Sequence, residues 1–101
     1  ANPKNNPLVL TITTLFRYFL NLLTYHYQKK TTPNTQEMAR LLGVHPFFMK
    51  DYIDGGKIYN AMKCATTISL LREYDMKSKG VGNANISDGE LLKELIFKIM
   101  H

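Results

Sequence analysis

The side chains that could do chemistry in this chain are few and far apart. The histidines His26, His45 and His101 stand in unrelated contexts, and none is followed by a second ligand at metal-site spacing. Glu73 and Asp75 lie two positions apart, so on a helix they point to different faces and cannot act as a paired acid and base. We therefore expect no metal, no cofactor and no catalytic residue in this chain.

The single cysteine and the one glycine-rich loop lead to the same expectation. Cys64 falls on one predicted helix face with Ala61 and Ala65, which favours a buried small hydrophobic residue over a nucleophile. A lone cysteine cannot form an internal disulfide, which fits a reducing compartment and predicts a cytoplasmic protein. The "GVGN" of residues 80–83 lacks the lysine and the preceding strand of a phosphate-binding loop.

Length and composition are those of one soluble globular domain spanning residues 1–101, with 45% hydrophobic and 21% charged residues. The net charge of +5 is scattered, with no basic run longer than Lys29 and Lys30, so it permits an acidic partner without requiring one. The polar start "ANPKNNP" does not resemble a signal peptide. Residues 8–27 have membrane length, but a central Arg17 costs about 3 kcal/mol on insertion scales, so we expect a soluble helix and no membrane contact.

Apolar residues repeat with helical spacing along the whole chain. They predict an all-α fold, a bundle-like orthogonal arrangement of five helices at about 6–30, 35–42, 46–58, 60–79 and 87–100. Asn5 or Asn6 before Pro7, Asn60, and Ser87 with Glu90 have the spacing of helix caps. Gly55 and Gly56 should weaken or bend the third helix by about 1 kcal/mol each, which leaves its continuity open.

Residues 35–53, "TQEMARLLGVHPFFMKDYI", have the rhythm of a helix-turn-helix, with the small Ala39 four positions before the turn residue Gly43. In a DNA reader the first residues of the second helix carry polar side chains that bond base edges. Here those places hold His45, Pro46, Phe47 and Phe48, which suit packing. A DNA-binding domain of a transcriptional regulator remains the alternative, and a stand-alone helical scaffold a third.

Four segments in order carry a resemblance to a known family. These are "NPLVLTITTLFRYFLNLL", "LLGVHPFFMKDYI", "ISLLREYDMKSKG" and "SDGELLKELIFKIMH". They resemble the C-terminal collar domain of the bacterial DNA polymerase III delta subunit, the clamp-loader subunit that opens the sliding clamp. The resemblance covers nearly the whole chain, and residues 67–101 are similar to delta subunits of the Bacteroides kind. Gly55 and Gly56 depart from the pattern.

The resemblance implies that this chain is the C-terminal part of a longer subunit, without the two AAA+-like domains that hold the clamp-binding element. Collar domains of five clamp-loader subunits form a closed ring, in which delta meets delta-prime and one subunit of the tau/gamma type. Delta does not hydrolyse ATP in this family; it is a non-catalytic subunit of the polymerase III holoenzyme, a nucleotidyltransferase. Contact with primer-template DNA in the full complex is left open.

The first predicted helix is apolar most of the way round, so it needs cover on several sides. The candidates for a subunit interface are Phe16, Phe19, Leu20, Leu23, Tyr27, Phe47 and Phe48. We expect part of residues 8–27 to be exposed, Arg17 to face solvent, and the rings of Tyr18, Tyr25 and Tyr27 to lie at the rim. Adjacent helical residues point about 100° apart, so we expect one of the two adjoining phenylalanines to enter the core and the other to lie nearer the surface.

Overall fold

A computed structural model describes residues 6–80 and 86–101, and within them the fold is all-α, as predicted. The helices are α1 (Pro7–Gln28), α2 (Thr35–Leu42), α3 (Met49–Ile58), α4 (Ala61–Ser78) and α5 (Asp88–Met100). A 3₁₀ turn, Pro46–Phe48, takes the place of the first three residues of the predicted third helix. The predicted loop after α4 and the polar start lie largely in residues 81–85 and 1–5, outside the described residues.

Short polar side chains begin the helices where the sequence predicts caps. The Asn6 side-chain oxygen accepts hydrogen bonds from two amides in the first turn of α1. The Asn60 oxygen accepts one at the start of α4, and Ser87 Oγ accepts one at the start of α5. Asn34 caps α2 with two such bonds, a cap that the pattern did not predict. Each cap satisfies amides that have no partner inside the helix.

Contacts between residues divide the chain into two compact units. The α5 unit contains α5, the first half of α1 and most of α4, that is, the described residues of 1–17 and 67–101. The turn unit is Tyr18–Thr66 and holds the rest of α1, α2, the 3₁₀ turn, α3 and the start of α4.

The α5 unit has an aliphatic core built around one buried tyrosine. The Tyr74 hydroxyl donates to the Glu94 carboxylate, while the ammonium groups of Lys77 and Lys98 lie over its ring. Burial, and then the hydrogen bond to Glu94, raise the pKa of Tyr74. The other buried side chains of this unit are Leu8, Ile12, Thr67, Ile68, Leu71, Leu91, Leu95 and Ile99.

In the turn unit, aromatic rings of α1 pack closely against α3, and α3 continues unbroken through its two glycines. A methyl group on Gly55 would overlap the Tyr18 hydroxyl, and one on Gly56 would stand 3.1 Å from the Tyr25 ring. The close approach of the two helices therefore explains the glycines. The question whether they break α3 is also answered, because the helix is continuous. The buried side chains of the turn unit are Phe19, Leu22, Met38, Ala39, Leu42, Met49, Tyr52 and Cys64.

Candidate functional site

The turn between α2 and α3 is held by backbone hydrogen bonds on its first side. Gly43 adopts the left-handed conformation (φ 71°), which favours a residue without Cβ. Its amide donates to the Arg40 carbonyl at 3.1 Å, and the next amide, that of Val44, donates to the Ala39 carbonyl at 2.9 Å. This is a Schellman closure, which stops α2 and directs the chain into the turn.

The second side of the turn is held by His45. Its Nδ1 accepts a hydrogen bond from the Phe47 amide at 3.0 Å, and Pro46 occupies the first position of the 3₁₀ turn, where no amide is needed. To accept this bond, Nδ1 must be without a proton. The histidine in "HPFF" therefore acts as a helix cap, consistent with its prediction as a turn residue.

The two phenylalanines of the turn both point outward. Phe47 is 79% exposed and Phe48 is 50% exposed, and their rings meet edge to face with centroids 5.5 Å apart. Leu41, at the end of α2, is also half exposed, and α2 contacts the 3₁₀ turn. We call Phe47 and Phe48 the turn patch.

The expectation that one of the pair enters the core is wrong. The segment is a 3₁₀ turn of three residues rather than the first turn of an α-helix, so both rings precede α3 instead of lying on it. The next residue, Met49, is 2% exposed and fills the core position at the start of α3.

One of the predicted interface candidates, Phe19, is buried. It is 2% exposed, and its ring packs edge to face against Tyr59 at 5.2 Å in the turn unit. A side chain this deeply buried cannot touch a partner of the folded chain. Phe16, in the α5 unit, is half-buried and has the Arg72 guanidinium over its ring.

The remaining candidates on α1 share one side of the helix within the turn unit. Leu20, Leu23 and Tyr27 follow each other at spacings of three and four. Tyr27 is 70% exposed, Leu20 is exposed and Leu23 is half-buried. Arg17 is exposed as expected. The expectation that part of residues 8–27 stays uncovered is thus confirmed.

An apolar surface on α5 was missing from the predicted candidates. Ile96, Phe97 and Met100 are exposed, although the sequence places them within one apolar helix. Leu91, Leu95 and Ile99, four apart, form the buried face. Ile96 and Met100 follow buried residues by one position, about 100° further round the helix, and Phe97 follows Leu95 by two, so the spacing directs them away from the centre of that face.

The side chains that could take part in chemistry are engaged in structural contacts. His26 Nε2 donates to the Tyr59 carbonyl at 2.7 Å, which joins the end of α1 to the end of α3. The Cys64 thiol donates to the same carbonyl, and its burial is as predicted; burial also raises the pKa of the thiol. His101 stacks on Phe97. Among residues 6–80 and 86–101, no three metal-ligating side chains gather in one place.

No protein-family model, curated protein or solved structure matches this chain. Evidence on its function therefore comes from the surface and from the sequence motifs. Of the helices described, α1 has the length and composition of a membrane span, a test that core helices of soluble proteins also pass. Its most apolar window is 22% buried.

The exposed face of α3 bears on the DNA-binding alternative. Asp51 and Asp54 are both exposed there, and Lys50 Nζ lies 3.5 Å from the Asp54 carboxylate. These two carboxylates offset the charges of the exposed Lys50 and Lys57, so α3 offers phosphates no net positive charge. The two phenylalanines lie in the turn just before α3 and offer no hydrogen bonds to base edges.

Proposed function

We propose that this chain is the collar domain of a clamp-loader delta subunit. It joins its subunit to two neighbours in a ring and so supports the loading of the sliding clamp in DNA replication. In this proposal the chain works in the cytoplasm without a membrane, needs no cofactor and contributes no catalytic group. The order of the four sequence motifs supports it, and the outward-facing turn patch is the observation that carries it.

The turn patch has the composition of an interface centre. Aromatic side chains are enriched and charges depleted at the centres of protein–protein interfaces. Phe47 is the most exposed large apolar side chain described, and it adjoins a second exposed ring. The glycine closure and the His45 cap hold the turn in place, which lowers the entropy lost when a partner binds.

The partners in this proposal are the delta-prime subunit and a tau/gamma-type subunit. Contact with the sliding clamp belongs to the N-terminal part of the longer subunit, not to this chain. Primer-template DNA needs no contact with this chain for the collar to assemble.

The second candidate is a DNA-binding helix-turn-helix domain of a transcriptional regulator. The succession of α2, the left-handed Gly43 and α3 favours it. Against it stand the exposed carboxylates Asp51 and Asp54 and the two exposed phenylalanines in the turn that precedes α3.

Reconstitution with purified subunits separates the two functions. The chain is mixed with delta-prime and tau/gamma-type subunits of the same organism and analysed by size-exclusion chromatography, and in parallel it is titrated with duplex DNA. We expect co-elution with the subunits and only weak, salt-sensitive DNA binding without sequence preference. No co-elution, together with strong preference for one duplex sequence at physiological salt, would establish the regulator instead.

A further inference from the structure

A second apolar surface lies in the α5 unit, between α1 and α4. It is an open groove of about 470 Å³ with Ile12 and Leu71 at its base and Phe16 and Met76 on its sides. The two base residues are buried, whereas Met76 is 54% exposed. We call this surface the α4 groove; Thr13, Arg72 and Asp75 complete its lining.

Two charged groups border the α4 groove, and they differ in what holds them. The Asp75 carboxylate lies 3.0 Å from Lys79 Nζ, one turn along α4. The Arg72 guanidinium stands over the Phe16 ring, 5.7 Å from its centroid. Among the described residues, no carboxylate lies within ion-pairing distance of Arg72, although three lysines of the α5 unit make such pairs.

This combination specifies the chemistry of an occupant. The apolar base and sides would cover the apolar face of a helix or extended segment. Arg72 offers a planar donor, already oriented on an aromatic ring, that suits a carboxylate in a two-point contact. The groove therefore complements a segment that carries large apolar residues with an aspartate or glutamate beside them.

We propose that the α4 groove is a second subunit contact, which binds an apolar segment of a neighbouring clamp-loader subunit with a carboxylate paired to Arg72. A subunit in a closed ring with unlike neighbours must present two different surfaces, and the turn patch is one of them. The identity of the partner rests on the proposed function, whereas the chemistry of the segment follows from the groove.

The test measures affinity for purified delta-prime and tau/gamma-type subunits by isothermal titration calorimetry. Arg72→Glu reverses the charge on an exposed side chain, and Met76→Glu places a charge in the groove. We expect each variant to lose about tenfold or more in affinity for the same one of the two subunits. Arg72→Lys, which keeps the charge without the planar fork, should lose less than Arg72→Glu.

Lys57→Glu is the matched control, because it makes the same change of net charge on an exposed residue of α3, in the turn unit and outside the groove. Circular dichroism melting must show all variants folded. If the parent chain binds both subunits and the Arg72 and Met76 variants bind them equally well, or if Lys57→Glu loses as much, the groove inference is overturned while the collar function stands. If the parent chain binds neither subunit, the proposed function itself fails.

Discussion

The two units of this chain use their polar side chains differently. On α4 and α5 of the α5 unit, lysines pair with carboxylates one turn away: Glu73 with Lys77, Asp75 with Lys79, and Glu94 with Lys98. The turn unit has one such pair and relies on ring packing and backbone bonds instead.

The difference shows where polar groups were used. In the turn unit, the His45 side chain and the backbone amides of Gly43 and Val44 form hydrogen bonds that fix the turn. The side chains that this turn exposes to solvent include Phe47 and Phe48. Because Phe47 and Phe48 are exposed, we expect them to contribute little to folding and more to the binding of a partner. In the α5 unit the ion pairs lie on exposed sides of α4 and α5, and apolar side chains are also exposed at the α4 groove and along the outer side of α5.

The largest expected contrast is between two phenylalanines of the turn unit. Phe19→Ala removes a buried ring and should cost about 3–5 kcal/mol of unfolding free energy. Phe47→Ala removes an exposed ring and should cost less than about 0.5 kcal/mol. Urea denaturation of both variants measures this. Similar losses of unfolding free energy in the two variants would mean that Phe47 belongs to the core and that the turn patch is not a free surface.

A smaller effect tests the close approach of α1 and α3. Gly55→Ala should destabilise the chain by about 1–3 kcal/mol, because its methyl group overlaps the Tyr18 hydroxyl and strains the helix contact. Gly56→Ala is the control: its methyl group fits more easily against Tyr25, and alanine improves helix propensity by about 1 kcal/mol. We expect it to be near neutral in the same assay. A stabilising Gly55→Ala would show that the glycine is not required by the packing.

Much of this fold could be predicted from local patterns. Caps such as Asn60 and Ser87 act within a single turn of helix, so their spacing was sufficient to locate them. Gly55 was misread as a weakness of α3, because its reason is a tyrosine 37 positions earlier in the chain. Spacing alone also could not tell that Phe19 is buried and Phe47 exposed, since both lie on apolar stretches and only the packing of other helices decides between them.

The smallest predicted stability effect concerns pH and the α5 unit. The hydrogen bond from Tyr74, followed by the nearby Lys98, lowers the pKa of Glu94 below its ordinary value of 4.5. A lowered pKa in the folded state means that the stabilisation is fully present above that ordinary value and is lost as pH falls through the folded value. Tyr74→Phe removes the main cause, so its stability should decline less steeply between about pH 5 and pH 3 than that of the parent chain.

Tyr52→Phe is the matched control for this experiment. The Tyr52 hydroxyl accepts a hydrogen bond from Asn21 rather than donating to a carboxylate. Its removal should therefore leave the acid decline of unfolding free energy unchanged. Equal slopes for the parent chain and Tyr74→Phe would contradict the role assigned to the bond between Tyr74 and Glu94.

The most direct test of the account is the affinity of the turn patch for a neighbouring subunit. The double variant Phe47→Ser with Phe48→Ser is compared with the parent chain in binding to purified delta-prime and tau/gamma-type subunits. A control variant, Lys50→Ser with Asp54→Ser, changes exposed polar residues of α3 close by. We predict that the phenylalanine variant loses about thirtyfold or more in affinity for one subunit, while its unfolding free energy stays almost unchanged. The control variant should bind with almost the affinity of the parent chain. Equal affinities of the parent chain and the folded phenylalanine variant for both subunits would contradict the claim that this turn is a protein-binding surface.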